Sequence, residues 1–131
     1  DHFKSVNDNY GHDVGDEILR QLSAIIVKTI RSADLAARYG GEEFVVLMPE
    51  TDAQAAYGAA MRMREIVEAS DFAISNGEVI KKTVSIGVAN LHPDGDSGES
   101  LLKRADEALY SAKHSGRNQV KVSTKLVPSG W

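Results

Sequence analysis

The sequence predicts an α/β sandwich, a sheet of short strands covered by helices. Three observations predict it. Apolar residues recur at helical spacing over three long segments. Short runs rich in Val, Ile and Phe lie between them, and tight-turn signals at Gly40-Gly41 and Asn76-Gly77 join two pairs of those runs. Strands that alternate with helices place the helices over the sheet.

The first helix is expected from Asp13 to about Arg31, with Ile18, Leu22, Ile25, Ile26 and Thr29 on one face. Asp13, Asp16 and Glu17 lie in its first turn, where negative charge suits the helix dipole. Leu35–Tyr39 and Glu43–Met48 read as antiparallel strands around Gly40-Gly41, and Pro49 closes the second. Thr51 and Gln54 make a capping-box pattern for a second helix over Asp52–Ala69, whose alanines, Met61, Met63 and Ile66 suit packing on a sheet. Phe72–Ser75 and Glu78–Ile80 flank Asn76-Gly77 as a short hairpin. Thr83–Leu91 reads as the central strand, with Val84, Ile86 and Val88 on one face and Gly87 permitting close approach. The segment from His92 to Gly98 is a polar loop. A third helix follows over Glu99–His114, with Leu101, Leu102, Ala105, Leu109 and Ala112 inward and Gly116 as its C-terminal glycine. Gln119–Ser123 is a last short strand.

Composition narrows the function. A chain of 131 residues, 42% apolar and 26% charged, suits one globular domain. It is expected over residues 1–124, with a loose tail over 125–131. There is no cysteine, which excludes disulfides and thiolate metal sites and agrees with a cytoplasmic setting. A formal net charge of -4 argues against a general nucleic-acid binder, and no apolar run approaches the ~20 residues of a membrane span. The four histidines have no metal-ligand spacing and read as surface or packing residues.

The most informative stretch is Tyr39-Gly40-Gly41-Glu42-Glu43-Phe44. Two glycines permit a tight turn and close approach to a ligand, and two carboxylates beside a glycine floor suit a divalent cation and phosphates. Alone, the same residues make an ordinary turn with solvated acids. Further motifs stand in a set order around it: Asp1-His2-Phe3-Lys4, Asn7-Asp8, Gly11-His12-Asp13-Val14-Gly15-Asp16, Val84-Ser85-Ile86-Gly87-Val88, Ala105 to Lys113, and Gly116-Arg117-Asn118. With the signature in its Gly-Gly-Glu-Glu-Phe form, the chain resembles a GGDEF domain, the catalytic domain of diguanylate cyclases, over nearly its whole length.

The resemblance implies an α+β fold related to nucleotide cyclase and polymerase palm domains, with a central, mostly antiparallel five-stranded sheet. It places a central strand just before Asp1, together with a metal-binding aspartate two residues upstream; neither is in this sequence. The chain is therefore expected to be compromised alone, to swap strands with a neighbour, or to be cut from a larger protein. Glu42 matches the metal carboxylate for Mg²⁺ or Mn²⁺, and Glu43 sits beside it at the active site. Lys4 matches the lysine on the terminal phosphates, cradled by backbone around His2 and Phe3, with Gly40 and Gly41 at the nucleotide. Lys113 and Arg117 match further phosphate contacts; four apart, they would share a face of a continuing helix. Asn7 and Asp16 match the pair that reads guanine. Arg31-Ser32-Ala33-Asp34, five residues ahead of Gly40, resembles the Arg-x-x-Asp inhibitory site, with Arg62 as a secondary contact.

The function implied is condensation of two GTP into cyclic di-GMP and two pyrophosphates, in a homodimer of the domain, controlled by an upstream sensor or receiver domain and by product at the inhibitory site. The rivals are a receptor for GTP or cyclic di-GMP that does no chemistry, and a domain that only dimerises.

Overall fold

The computed structural model of the chain describes residues 1–40, 43–91 and 96–123. In chain order its elements are α1 (Phe3–Tyr10), α2 (His12–Thr29), β1 (Leu35–Gly40), β2 (Glu43–Leu47), α3 (Ala53–Ala69), β3 (Phe72–Ala73), β4 (Val79–Ile80), β5 (Ile86–Val88), α4 (Gly98–His114) and β6 (Val120–Val122). Helices and strands alternate as expected. The expected tail, Lys125–Trp131, and the loop residues from His92 to Gly95 lie outside the described residues.

The strands form three two-stranded sheets among the described residues. β1 pairs antiparallel with β2, from Leu35 opposite Leu47 to Gly40 opposite Glu43, with an irregularity after Arg38. β3 pairs antiparallel with β4, and β5 pairs in parallel with β6. Two of the three pairings are thus antiparallel. The implied five-stranded sheet is divided, and the strand that the resemblance places before Asp1 is not in this sequence. The long strand expected over Thr83–Leu91 keeps ladder pairing only at its middle, over Ile86–Val88, and ahead of it the Thr83 and Ser85 hydroxyls bond to the Asp1 carboxylate.

Local chemistry explains where the helices begin and end. α2 stops at Thr29, two residues before the expected end: Thr29 Oγ1 bonds back to the Ile26 carbonyl at 3.0 Å, and Ile30 is extended. Arg31 therefore leaves the helix. α3 is capped by Asp52, whose carboxylate accepts from the Ala55 N–H at 2.7 Å, and not by Thr51. The Thr51 hydroxyl is already engaged with the Pro49 carbonyl and Arg31. At α4 the Ser97 and Ser100 side chains cap each other's backbone N–H groups. Its other end closes as expected: Gly116 has φ 111°, and the Arg117 N–H reaches the Ala112 carbonyl at 3.0 Å. The helix α1 was not expected. Val6 is the buried residue along it, although Phe3, Val6 and Tyr10 recur at helical spacing.

Two core clusters share α3. Val6, Ile18, Val67, Phe72 and Ile74 form one, and Ala60, Val88 and Val120 the other. Val67 and Phe72 are wholly enclosed. The inward faces predicted for α2 and α4 are broadly correct, although Ile66 of α3 is 43% exposed and Arg104 of α4 is buried. Arg104 is paired there with Asp96 and donates to the Asn90 carbonyl at 3.0 Å, which ties the start of α4 to the end of the β5 segment.

The tightest constraint lies at Gly87. A Cβ there would stand 2.9 Å from Leu109 Cα and nearer still to the Leu109 nitrogen and the Ala105 carbonyl, all backbone that cannot rotate aside. Gly87→Ala is expected to cost about 3 kcal/mol, the upper range for overpacking, read as a lower urea midpoint. Gly58→Ala is the control. Only Arg62 Nη1 comes near, at 3.7 Å, so it should be neutral or stabilise by up to about 1 kcal/mol.

Candidate nucleotide site

The site is assembled from the start of α1, the first turns of α2, the β1–β2 hairpin and the turn after α4. α1 has no side-chain cap and no acid in its first turn. Its free N–H groups and dipole therefore favour an anion. His2 precedes it in a left-handed conformation with φ 56°, and Lys4 is exposed on its first turn.

One helical turn on, the Asn7 side chain turns inward. Its Oδ1 is buried and has no hydrogen-bond partner. It rests on Gly15 of α2: a Cβ at residue 15 would collide with Oδ1 and stand 3.0 Å from the Phe3 ring. Asp16 follows directly, exposed at the mouth of a cleft of about 410 Å³ between α2 and the hairpin. Ile26 and Ala36 line its depth, with Arg20, Arg38 and Phe44 around it. That volume lies within the ~300–1,000 Å³ of small-molecule sites. The structure thus gathers His2, Phe3, Asn7 and Asp16 at one end of the α1–α2 pair. In the hairpin, Gly40 pairs with Glu43, which opens β2. Gly41 and Glu42 lie outside the described residues.

Lys113 occupies the last turn of α4, but Arg117 does not share its helical face. The helix ends at His114, and Arg117 and Asn118 both take left-handed angles, φ 61° and 47°. The Asp1 carboxylate meets this turn. It accepts from Ser85 Oγ at 2.8 Å, Thr83 Oγ1 at 2.9 Å and the Asn118 N–H at 3.1 Å. Lys82 adds a cation beside the cradle: its ammonium donates to the His2 carbonyl at 3.3 Å, and burial lowers its pKa. The sequence reading missed Lys82, Thr83 and Ser85 as neighbours of the site. The Lys81-Lys82-Thr83 run ahead of β5 was the available signal.

Among the described residues no group of three His, Cys, Asp or Glu side chains could hold a metal ion. Glu42, the residue that the sequence matches to the cation, lies outside the described residues.

Of the second predicted cluster, Arg31 and Asp34 are in contact. Arg31 Nη2 lies 3.0 Å from Asp34 Oδ1, and the Arg31 N–H reaches Oδ2 at 2.9 Å. Arg31 also donates to Thr51 Oγ1 at 2.6 Å and to the Pro49 carbonyl at 3.2 Å. The Asp34 side chain is 2% exposed and that of Arg31 59%. Arg62 is exposed on α3.

The sequence matches the family described as diguanylate cyclase, GGDEF domain, over residues 1–119. The chain belongs to the GGDEF family. It is 50% identical over 121 residues to the response regulator PleD of Caulobacter vibrioides, covering 92% of this chain and 27% of that protein. The chain thus spans about a quarter of that curated relative. Among solved structures, the GGDEF domain of DgcB from Caulobacter crescentus in complex with c-di-GMP matches with a TM-score of 0.90 and 37% identity, covering 95% of this chain and 74% of that one. The active GGEEF domain of a diguanylate cyclase from Vibrio cholerae matches with a TM-score of 0.85 and 32% identity, over 96% and 79% of the two chains.

Hydrogen bonds from the Arg31 side chain and backbone hold the Asp34 carboxyl below the usual aspartate range. A lowered folded-state pKa gives stability that is full above the ordinary aspartate value and lost as pH falls through the lowered one. An NMR titration of Asp34 should show a midpoint below that of an ordinary aspartate, and Arg31→Gln should move it upward. An ordinary midpoint in the unmodified protein would mean that the pair is open in solution.

Proposed function

We propose that this domain condenses two GTP into cyclic di-GMP and two pyrophosphates. The carrying observation is the buried, unpartnered Asn7 Oδ1 beside Asp16. Guanine presents two adjacent donors, N1–H and N2–H₂, which suit an amide oxygen and a carboxylate; adenine offers no such pair. An acceptor buried without a donor is costly, and a guanine N–H would relieve it. The uncapped start of α1 around His2 and Phe3, with Lys4, would take the triphosphate, and Lys113 and Arg117 would add positive charge. Gly40 and Gly41 would let the hairpin approach the nucleotide.

Glu42, beside Glu43, would bind Mg²⁺ or Mn²⁺ together with oxygens of the bound triphosphate. The cation would supply neutralisation of charge as the 3'-hydroxyl attacks the α-phosphate. Each domain would hold one GTP, so two must meet as a homodimer. Cyclic di-GMP would bind at Arg31, Asp34 and Arg62 and inhibit, and an upstream sensor or receiver domain would control pairing in the cytoplasm. The match to the c-di-GMP-bound DgcB domain supports a cyclic di-GMP ligand. A receptor without chemistry is the second reading. The c-di-GMP in the matching DgcB domain suits that reading as well.

GTP turnover with Mg²⁺ separates the two. Cyclic di-GMP should form, and Glu42→Ala should reduce it roughly 100-fold or more while GTP still binds. A folded protein that binds GTP and yields no product leaves the receptor. Gly15→Ala tests the guanine reading. Displacing Asn7 should raise the KM for GTP at least about tenfold, a loss of one guanine hydrogen bond, with little change for inosine triphosphate, which lacks the 2-amino group. An equal loss for both nucleotides would remove Asn7 from recognition of the 2-amino group.

A further inference from the structure

The turn Gly116-Arg117-Asn118 has three successive residues at positive φ, 111°, 61° and 47°, and two of them are not glycine. L side chains rarely adopt this region, so surrounding contacts must hold such a turn. Those contacts come from far along the chain. Arg64 of α3 donates to Asn118 Oδ1 at 3.0 Å, the Asn118 amide donates to Glu68, and the Asn118 N–H donates to Asp1 Oδ2 at 3.1 Å. Asp1 is in turn held by Thr83 and Ser85, on the segment that leads into β5.

We infer that Asp1 is a positioning residue that sets the distance between the phosphate cradle at His2–Lys4 and the guanidinium of Arg117. The inference rests on the proposed binding of a nucleoside triphosphate and adds a role that the binding residues themselves do not have. Asp1 is joined by one peptide bond to the cradle and by one hydrogen bond to the Arg117–Asn118 turn. Its carboxylate spans two groups that must grip the same polyphosphate.

The geometry also says what Asp1 does not do. Three donors occupy three of the about four acceptor sites of a carboxylate. These donors commit the carboxylate to holding protein segments together, so a divalent cation would compete with them. Alanine at this position is the diagnostic change, because it removes both carboxylate oxygens. Asparagine could keep its oxygen toward Thr83 and Asn118, which share Oδ2, and turn its NH₂ to the Ser85 hydroxyl.

The experiment compares the unmodified protein with Asp1→Ala, and with Ser85→Ala as a milder variant should Asp1→Ala fold poorly. Three quantities are read: amide hydrogen exchange at Asn118, calorimetric affinity for a non-hydrolysable GTP analogue and for guanosine, and Mn²⁺ affinity without nucleotide. Asp1→Ala should speed exchange at Asn118 and weaken the GTP analogue at least about tenfold, the worth of one charge-assisted hydrogen bond, while guanosine binding stays unchanged. Adding Arg117→Ala should then cost nothing more, since the two changes remove one interaction. Ser85→Ala should move the same readings less. Unchanged exchange and affinity in Asp1→Ala overturn the inference, as does a loss of Mn²⁺ affinity, which would make Asp1 a metal ligand. If the unmodified protein binds no GTP analogue, the proposed function fails first, and Asp1 keeps only the structural tether that exchange at Asn118 reports.

Discussion

At Gly87 the backbone of α4 lies directly on β5, where any Cβ would overlap Ala105 and Leu109. Much of the domain's functional end follows from that contact. It sets where α4 runs, hence where Lys113 stands and where the chain turns at Gly116. It also sets the line of β5, and so the position of Thr83 and Ser85 ahead of it. Asp1 can reach those hydroxyls and the Asn118 N–H together only because both segments are fixed against one another. A backbone-to-backbone contact leaves no side chain to adjust, so small displacements there are passed on and not absorbed.

A second frame comes from α3. It carries Val67 in one apolar cluster and Ala60 in the other, and its polar side reaches Asn118 through Arg64 and Glu68. The β1–β2 hairpin is held differently. Arg31 ties the loop before β1 to Pro49 and Thr51 after β2, closing the base of the hairpin. An open cleft remains between the hairpin and α2, with Asp16 at its mouth. Arg31 thus anchors the hairpin at its base. Arg31 serves two demands there: as the clamp it is already satisfied by Asp34 and Thr51, so a ligand at that site has to compete with bonds that exist in its absence.

The candidate residues differ in how far the sequence alone could place them. Asn7 and Asp16 were chosen as a pair, and they stand on adjacent helices with Gly15 between their roles. Arg31 and Asp34 were chosen as a pair and are one. Lys113 and Arg117 were read as sharing a helical face, and the left-handed turn separates them. Thr51 was read as a helix cap, and Asp52 took that position because its carboxylate was free to bond while the Thr51 hydroxyl was not. α1 has only eight residues, so the helical spacing of Phe3, Val6 and Tyr10 covers about two turns and is a weak signal.

Spacing of apolar residues, turn glycines and the ordered motifs determined from sequence the long helices, both hairpins and the family. These signals are local: each depends on residues within a few positions of one another. Tertiary structure alone decided that β5 and β6 run parallel, that Arg104 is buried against Asp96, and that Asp1 meets Asn118, a residue 117 positions away. Such contacts depend on how completed elements pack, and a side chain's partner across that distance leaves no periodicity in the chain that encodes it.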